Sequence, residues 1–206
     1  APLRALLGQA LGEGQGAGIS LTLSDNGVDV LLANVAAQTL KQIERLTDFA
    51  ARHSLARLSV EGPAGVETIA EARRLGGVPV VLPPAPFLQA TRDGEAALTA
   101  AMLAGVGDAP RVADLFCGLG TFALPLAANR RRVLAADNAG PAMAALTAAA
   151  RGAGLLLLPE VRDLFRRPMD VEELKRFDAV VFDPPRAGAA SQAAMLAKSN
   201  VPRVVA

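Results

Sequence analysis

Ile19, Leu21 and Leu23 alternate with polar residues, Asp25-Asn26-Gly27 follows, and Val28, Val30 and Leu32 alternate again. A period of two on both sides of a turn-forming triplet predicts a β-hairpin. Leu40, Ile43, Leu46 and Phe49 then recur at helical spacing and predict an amphipathic helix from Ala36 to about Arg52. Upstream, Pro2 to Leu11 reads as a short helix closed by the glycine-rich stretch Gly12 to Gly18. Downstream, Leu55 to Val60 reads as a strand, and Thr68 to Arg73 with Val78 to Leu82 as a second hairpin around Gly76-Gly77. These elements amount to a small α+β unit with no catalytic signature of its own.

Pro83-Pro84-Ala85-Pro86 breaks regular structure, so residues 1–83 and 84–206 are expected to be separate domains. Beyond the prolines the rhythm changes. A helix from about Arg92 to Leu103 leads to the strand Arg111 to Phe116, the turn Gly118-Leu119-Gly120 and another helix. The strand Arg132 to Asp137, the helix Pro141 to Ala150 and a strand between Leu155 and Arg162 follow. A short helix Val171 to Arg176, the strand Asp178 to Phe182 and the helix Ser191 to Lys198 come next, with Val204 opening a further strand. Strands alternating with helices predict an α/β fold, a doubly wound parallel sheet with right-handed crossovers. Ligands bind such sheets beyond the carboxyl ends of the strands.

Composition removes several classes of function. No apolar run approaches the length of a membrane span, and the first residues lack the layout of a signal peptide, so a cytoplasmic protein is expected. The single cysteine, Cys117, excludes an internal disulfide or a multi-cysteine metal site, and the single histidine, His53, argues against zinc. His53 falls at the end of the first amphipathic helix, where a structural role is expected. A net charge of +1 neither demands nor forbids nucleic acid, although Arg130-Arg131-Arg132 and Arg166-Arg167 could meet phosphates. Without Trp or Tyr, an aromatic platform for single strands is not expected. Nothing in the pattern sets an oligomeric state. The chain starts without Met and stops in an apolar run, so both ends are expected to be trimmed.

Four acids fall where strands end or turns follow. Asp114 precedes the glycine turn, Asp137 ends the second strand of the series, Asp163 follows the third and Asp183 the fourth. One carboxylate after a strand is often only a helix cap, but four around one crevice form a pattern. In Asp114-Leu115-Phe116-Cys117-Gly118-Leu119-Gly120-Thr121 the glycines let a ligand approach the backbone closely. A dinucleotide site has a related glycine pattern, but an acid before the turn suits a sulfonium or ammonium better than a pyrophosphate. Asp137 would then hold ribose hydroxyls, and Asp163 would meet an adenine amino group. Asp183-Pro184-Pro185-Arg186 follows the apolar strand, and its prolines make a stiff loop with few backbone donors.

Asp114-Leu115-Phe116-Cys117-Gly118-x-Gly120 together with Asp183-Pro184-Pro185-Arg186-Ala187-Gly188 resembles the RNA uracil-5-methyltransferase family, which makes 5-methyluridine in 23S rRNA and in tRNA. Phe87-Leu88-Gln89 is similar to the family's F-x-Q-x-N segment. The resemblance covers roughly Phe87 to Ala206 and extends weakly over the preceding region, which would match the family's central domain. It implies a Rossmann-like, S-adenosylmethionine-dependent methyltransferase fold with an RNA substrate. Carried over by position, Gln89, Asp114, Phe116, Gly118, Gly120, Thr121, Asp137, Asp163 and Asp183 would form the cofactor site. Three residues depart from the pattern: Thr91 stands at the Asn of F-x-Q-x-N, Thr121 where some members have Asn, and Asp137 where many have Glu.

The resemblance also implies a mechanism in which a cysteine thiolate adds to the 6-carbon of uracil to activate the 5-carbon. The family's nucleophile lies in a Ser-Cys-Asn-Pro segment on the strand that Val204-Val205-Ala206 begins, and its base lies further on. Both are therefore expected beyond Ala206, leaving no catalytic residue within the chain. Cys117 belongs to the cofactor loop and reads as a small buried thiol. Some members carry an upstream iron–sulfur cluster, and no ligands for one occur here. Two alternatives stay open: an amino-methyltransferase of the adenine or glutamine type, and a non-catalytic cofactor- and RNA-binding module. The first usually places an aromatic after Pro-Pro, where this chain has Arg186.

Overall fold

The computed structural model describes residues 18–35, 39–61 and 72–206. The expected helix at Pro2 to Leu11, its glycine-rich closure up to residue 17 and residues 68–71 of the second hairpin lie outside the described residues. Two compact units are present, Ala1–Arg73 with Val81–Pro86, and Arg74–Val80 with Phe87–Ala206.

In the first unit, β1 (Gly18–Ser24) and β2 (Gly27–Ala33) form the antiparallel hairpin, with Ser24 paired to Gly27 across the turn. Gly27 adopts a φ of 136°, which only glycine takes without strain. Helix α1 spans Leu40–Arg52, and residues 36–38 of the expected helix lie outside the described residues. Thr39 sets the helix start by accepting the Gln42 N–H on its hydroxyl, while the Gln42 side chain accepts the Thr39 N–H, a reciprocal capping box. His53 is the C-cap, its ring 4.4 Å from that of Phe49. β3 (Arg57–Val60) returns parallel to β2, giving the order β1-β2-β3. Val30, Leu32, Val35 and Leu46 form the core of this unit.

Beneath that core lies a buried ion pair. Arg57 and Asp29 are each 2% exposed, and Arg57 Nε donates to Asp29 Oδ1 at 2.9 Å. The guanidinium also donates to the carbonyls of Leu82 and Pro83, so the chain entering the proline cluster is tied to β2 through one side chain.

β4 (Ala72–Leu75) and β5 (Val78–Val81) form the hairpin about Gly76-Gly77. Residues 74–80 cluster with the second unit rather than the first. The reason is a close approach: a Cβ at Gly76 would lie 2.6 Å from Pro125 Cγ, so only glycine lets the turn seat there.

The second unit is a five-stranded sheet in the order β10-β9-β6-β7-β8, with every pairing parallel. Its strands are β6 (Arg111–Leu115), β7 (Arg132–Asp137), β8 (Leu157–Val161), β9 (Ala179–Phe182) and β10 (Val204–Val205). β6, β7 and β9 are near-continuous apolar runs because both faces are covered, the normal condition of a parallel sheet. β8 is an edge, and it carries Pro159, which a central strand would not accept. Helices α2 (Arg92–Val106), α3 (Ala123–Ala128) and α4 (Gly140–Gly152) pack against the strands. The short α5 (Val171–Leu174) and α6 (Ala190–Lys198) contribute Leu174 and Leu196 to a core with Ala113, Leu115, Leu134, Ala136 and Val180. Among the described residues no helix is long and apolar enough to cross a membrane.

Removing Asp29 from beneath Arg57 would strand a buried guanidinium. Asp29→Ala is therefore expected to lower unfolding stability by about 3–5 kcal/mol, read by urea denaturation followed by circular dichroism.

Candidate cofactor site

The chain runs from β6 outward to β7 and β8, then crosses back to place β9 and β10 on the other side of β6. The crevice of such a sheet opens at that reversal, beyond the carboxyl ends of β6 and β9. Because all strands are parallel, Asp183, Asp114, Asp137 and Asp163 leave the same edge in that spatial order.

Asp114 lies inside β6 opposite Ala135 and Val181 and is 1% exposed. Neither carboxylate oxygen has a hydrogen-bond partner. Burial pushes this carboxyl up to about 8; the Ala123 N–H opposes the shift, and the charges of Asp183 and Asp137 add to it. That N–H is felt through space but falls short of a bond that would satisfy either oxygen. A buried carboxylate with no partner is costly, and its cost is relieved by a proton or by a cation.

The loop after β6 is built around unusual backbone. Phe116, Gly118 and Gly120 all have positive φ, at 65°, 52° and 87°. The N–H groups of Phe116 and Cys117 both donate to the Ala136 carbonyl, which turns the chain sharply over the end of β7. At Gly120 a Cβ would meet Leu146 Cδ1 at 2.5 Å, so the residue is pressed against α4. At Gly118 a Cβ would meet nothing within 4 Å, so here the backbone borders open space. Thr121, half-buried, leads from Gly120 into α3, a helix of 6 residues with no side-chain cap.

Asp137 closes β7 and organises two turns. Its Oδ2 accepts the Gly118 N–H at 2.9 Å and its Oδ1 the Ala139 N–H at 2.8 Å. A shorter side chain could not hold the glycine loop and the start of α4 together. Asp163 forms a turn of its own, with Oδ1 accepting from the N–H of Phe165 at 3.0 Å and of Arg166 at 3.2 Å. Asp183 is exposed in the stiff loop after β9, where the Gly188 N–H donates to the Pro185 carbonyl at 2.7 Å. Gln89 is half-buried in the irregular segment before α2. Thr91 caps that helix by accepting the Gly94 N–H at 3.0 Å, a task its hydroxyl performs as well as Asn would.

Two aromatic residues not anticipated as site residues flank the loop. The Phe116 ring lies 5.3 Å from that of Phe165 and 6.1 Å from that of Phe182. With only seven Phe in the chain, the occurrence of one after each of three strand ends was the available signal. Cys117 is buried, its Sγ 3.6 Å from Met143 Sδ. Burial, and then the charges of Asp114 and Asp137, hold its thiol well above the usual cysteine value, so it stays protonated and unreactive. Among the described residues no group of three or more His, Cys, Asp or Glu could hold a metal ion.

The fold is the Rossmann-like one of class I methyltransferases. A tRNA (uracil-54, C5)-methyltransferase of Pyrococcus abyssi, solved with S-adenosyl-L-homocysteine, superposes with a TM-score of 0.69 at 19% identity, over 90% of this chain and 48% of that one. In sequence, an uncharacterised RNA methyltransferase of Zymomonas mobilis is 48% identical over 95% of this chain and 50% of its own length. A 23S rRNA (uracil(1939)-C(5))-methyltransferase of Yersinia enterocolitica is 32% identical over 91% of this chain and 44% of its own length. No family model matches. Over nearly its whole length the chain is similar in sequence to these RNA methyltransferases, and it spans about half the length of the curated relatives it matches.

Because the folded pKa of Asp114 lies near 8 against 3.8 for a free carboxyl, the fold binds an extra proton across that window. Stability from this group is complete below about pH 4 and is lost as pH rises towards 8. The stability advantage of Asp114→Asn over the parent chain is expected to grow with pH over this range, by up to about 1.4 kcal/mol per unit, in urea titrations at several pH values. In the same assay Gly120→Ala is expected to cost about 1–3 kcal/mol, from overpacking against Leu146 and from its positive φ.

Proposed function

We propose that this chain is the cofactor-binding half of an S-adenosylmethionine-dependent enzyme that forms 5-methyluridine in RNA. The observation that carries the reading is Asp114, a fully buried carboxylate without a partner beneath a glycine loop that borders open space. A sulfonium- and ammonium-bearing ligand offsets that charge, whereas a pyrophosphate would add to it. The residues present thus fit the cofactor.

S-adenosylmethionine supplies a methyl group on a positively charged sulfur. Asp114 would provide the counter-charge. Asp137, immobilised by two backbone N–H groups, keeps further lone pairs for ribose hydroxyls. Asp163 Oδ2, 3.8 Å from the exposed Arg166, would meet the adenine amino group, and the paired rings of Phe116 and Phe165 would exclude water beside it. Gln89 and Asp183 would contact the cofactor as well, and the two prolines after Asp183 keep its loop stiff. Residues 1–83 serve as the central domain and 84–206 as the methyltransferase domain. The thiol nucleophile and the base belong to the part of the protein outside this chain, since Cys117 is buried and protonated. The relatives named for uracil-C5 methylation support this substrate class, and an RNA substrate of this kind fits a cytoplasmic enzyme.

Calorimetry should give one-site binding of S-adenosylmethionine to this chain, weakened at least about tenfold by Asp137→Ala and by Asp183→Ala. A folded chain that binds nothing would overturn the cofactor assignment. For the reaction, the full-length protein is expected to release tritium from RNA made with 5-tritiated uridine in step with methyl incorporation. Methyl incorporation without tritium release would identify an amino-methyltransferase instead.

A further inference from the structure

The segment between β8 and α5 carries Asp163 and Phe165 and lacks regular structure, yet two buried side chains hold successive backbone groups in it. Arg162 is 6% exposed; its Nε donates to the Arg167 carbonyl and its Nη2 to the Pro168 carbonyl, each at 2.7 Å. The same guanidinium forks onto both carboxylate oxygens of Glu173 at 2.7 Å and reaches Glu160 at 3.2 Å. From α6, Gln192, 0% exposed, accepts the Met169 N–H at 2.7 Å and donates to the Met169 carbonyl at 3.2 Å. Glu173 closes the network by accepting the Asp170 N–H at 3.0 Å.

An amide buried on the face of a helix whose neighbour Leu196 joins an apolar core is costly unless its hydrogen bonds are all made. A leucine at position 192 would pack there but would leave both polar groups of Met169 unpaired. Gln192 and Arg162 therefore spend their hydrogen bonds on the backbone of one loop. The outer part of that loop presents Asp163, whose Oδ1 is occupied by its own turn and whose Oδ2 lies 3.8 Å from Nε of the exposed Arg166, and Phe165, whose ring meets Phe116.

We propose that Arg162 and Gln192 are positioning residues that set the selectivity of the crevice for adenine, by fixing the loop that presents Asp163 and Phe165. The inference rests on the cofactor reading above. A carboxylate accepts from the 6-amino group of adenine and repels the 6-oxo group of hypoxanthine. Loosening the loop removes this discrimination while the contacts of Asp114 and Asp137 remain.

The test compares S-adenosylhomocysteine with S-inosylhomocysteine by calorimetry on the chain and its variants, with Tm measured in parallel. The parent chain is expected to favour the adenosyl ligand by about tenfold or more. Gln192→Met, Arg162→Lys and Asp163→Ala should each reduce that preference below about threefold. Gln192→Met should add nothing in the Asp163→Ala background, whereas Gln192→Glu, which keeps an acceptor for the Met169 N–H, should recover most of the preference. If Gln192→Met does not fold, Arg162→Lys and Gln192→Glu decide by the same ratio. Variants that lose Tm but keep the full preference would show a purely structural network and overturn the proposal. A parent chain that binds neither ligand would overturn the cofactor reading and the proposal together, whereas equal binding of both ligands would overturn the proposal alone.

Discussion

Burial of the central strands on both faces is the constraint from which the second unit follows. β6, β7 and β9 have no polar face to offer water, so helices must cover each side, and each strand must return through a crossover to run parallel to the last. All carboxyl ends then gather on one edge. Asp137 ends β7 there and Asp163 and Asp183 follow β8 and β9, while Asp114 stays buried within β6. The reversal of direction at β6 decides which of them face one another.

Three carboxylates outside the crevice lie against guanidinium groups. Asp29 lies against Arg57, Asp178 against Arg111 and Glu173 against Arg162. The pairing holds Glu173 down to about 2, while Asp114, without such a partner, is pushed up to about 8. This contrast in electrostatics, more than the presence of acids as such, separates a ligand crevice from structural ion pairs.

The loop after β6 meets three demands within five residues. Phe116 and Gly118 enter the left-handed region to cross the end of β7, Gly120 leaves no room for a side chain beside α4, and Asp137 ties the result to its own strand. One glycine is needed for packing and the other for access, a division that spacing alone does not reveal.

The alternation of strands and helices, the hairpin at Asp25-Asn26-Gly27 and the placement of acids after strands were all legible in the sequence, because local periodicity and turn chemistry act over a few residues. The motifs Asp114 to Gly120 and Asp183 to Gly188 likewise carried the family resemblance by themselves. Other features depended on contacts between residues far apart in the chain. The seating of the Gly76 turn on Pro125 and the orphaned state of Asp114 required tertiary neighbours. So did the roles of Arg162 and Gln192, which in sequence look like an ordinary charge and an ordinary helix residue. The sequence determined which groups could take part, through residue type and short-range spacing. The tertiary structure decided which were desolvated and what faced them, because burial and electrostatic partnership are properties of the packed chain.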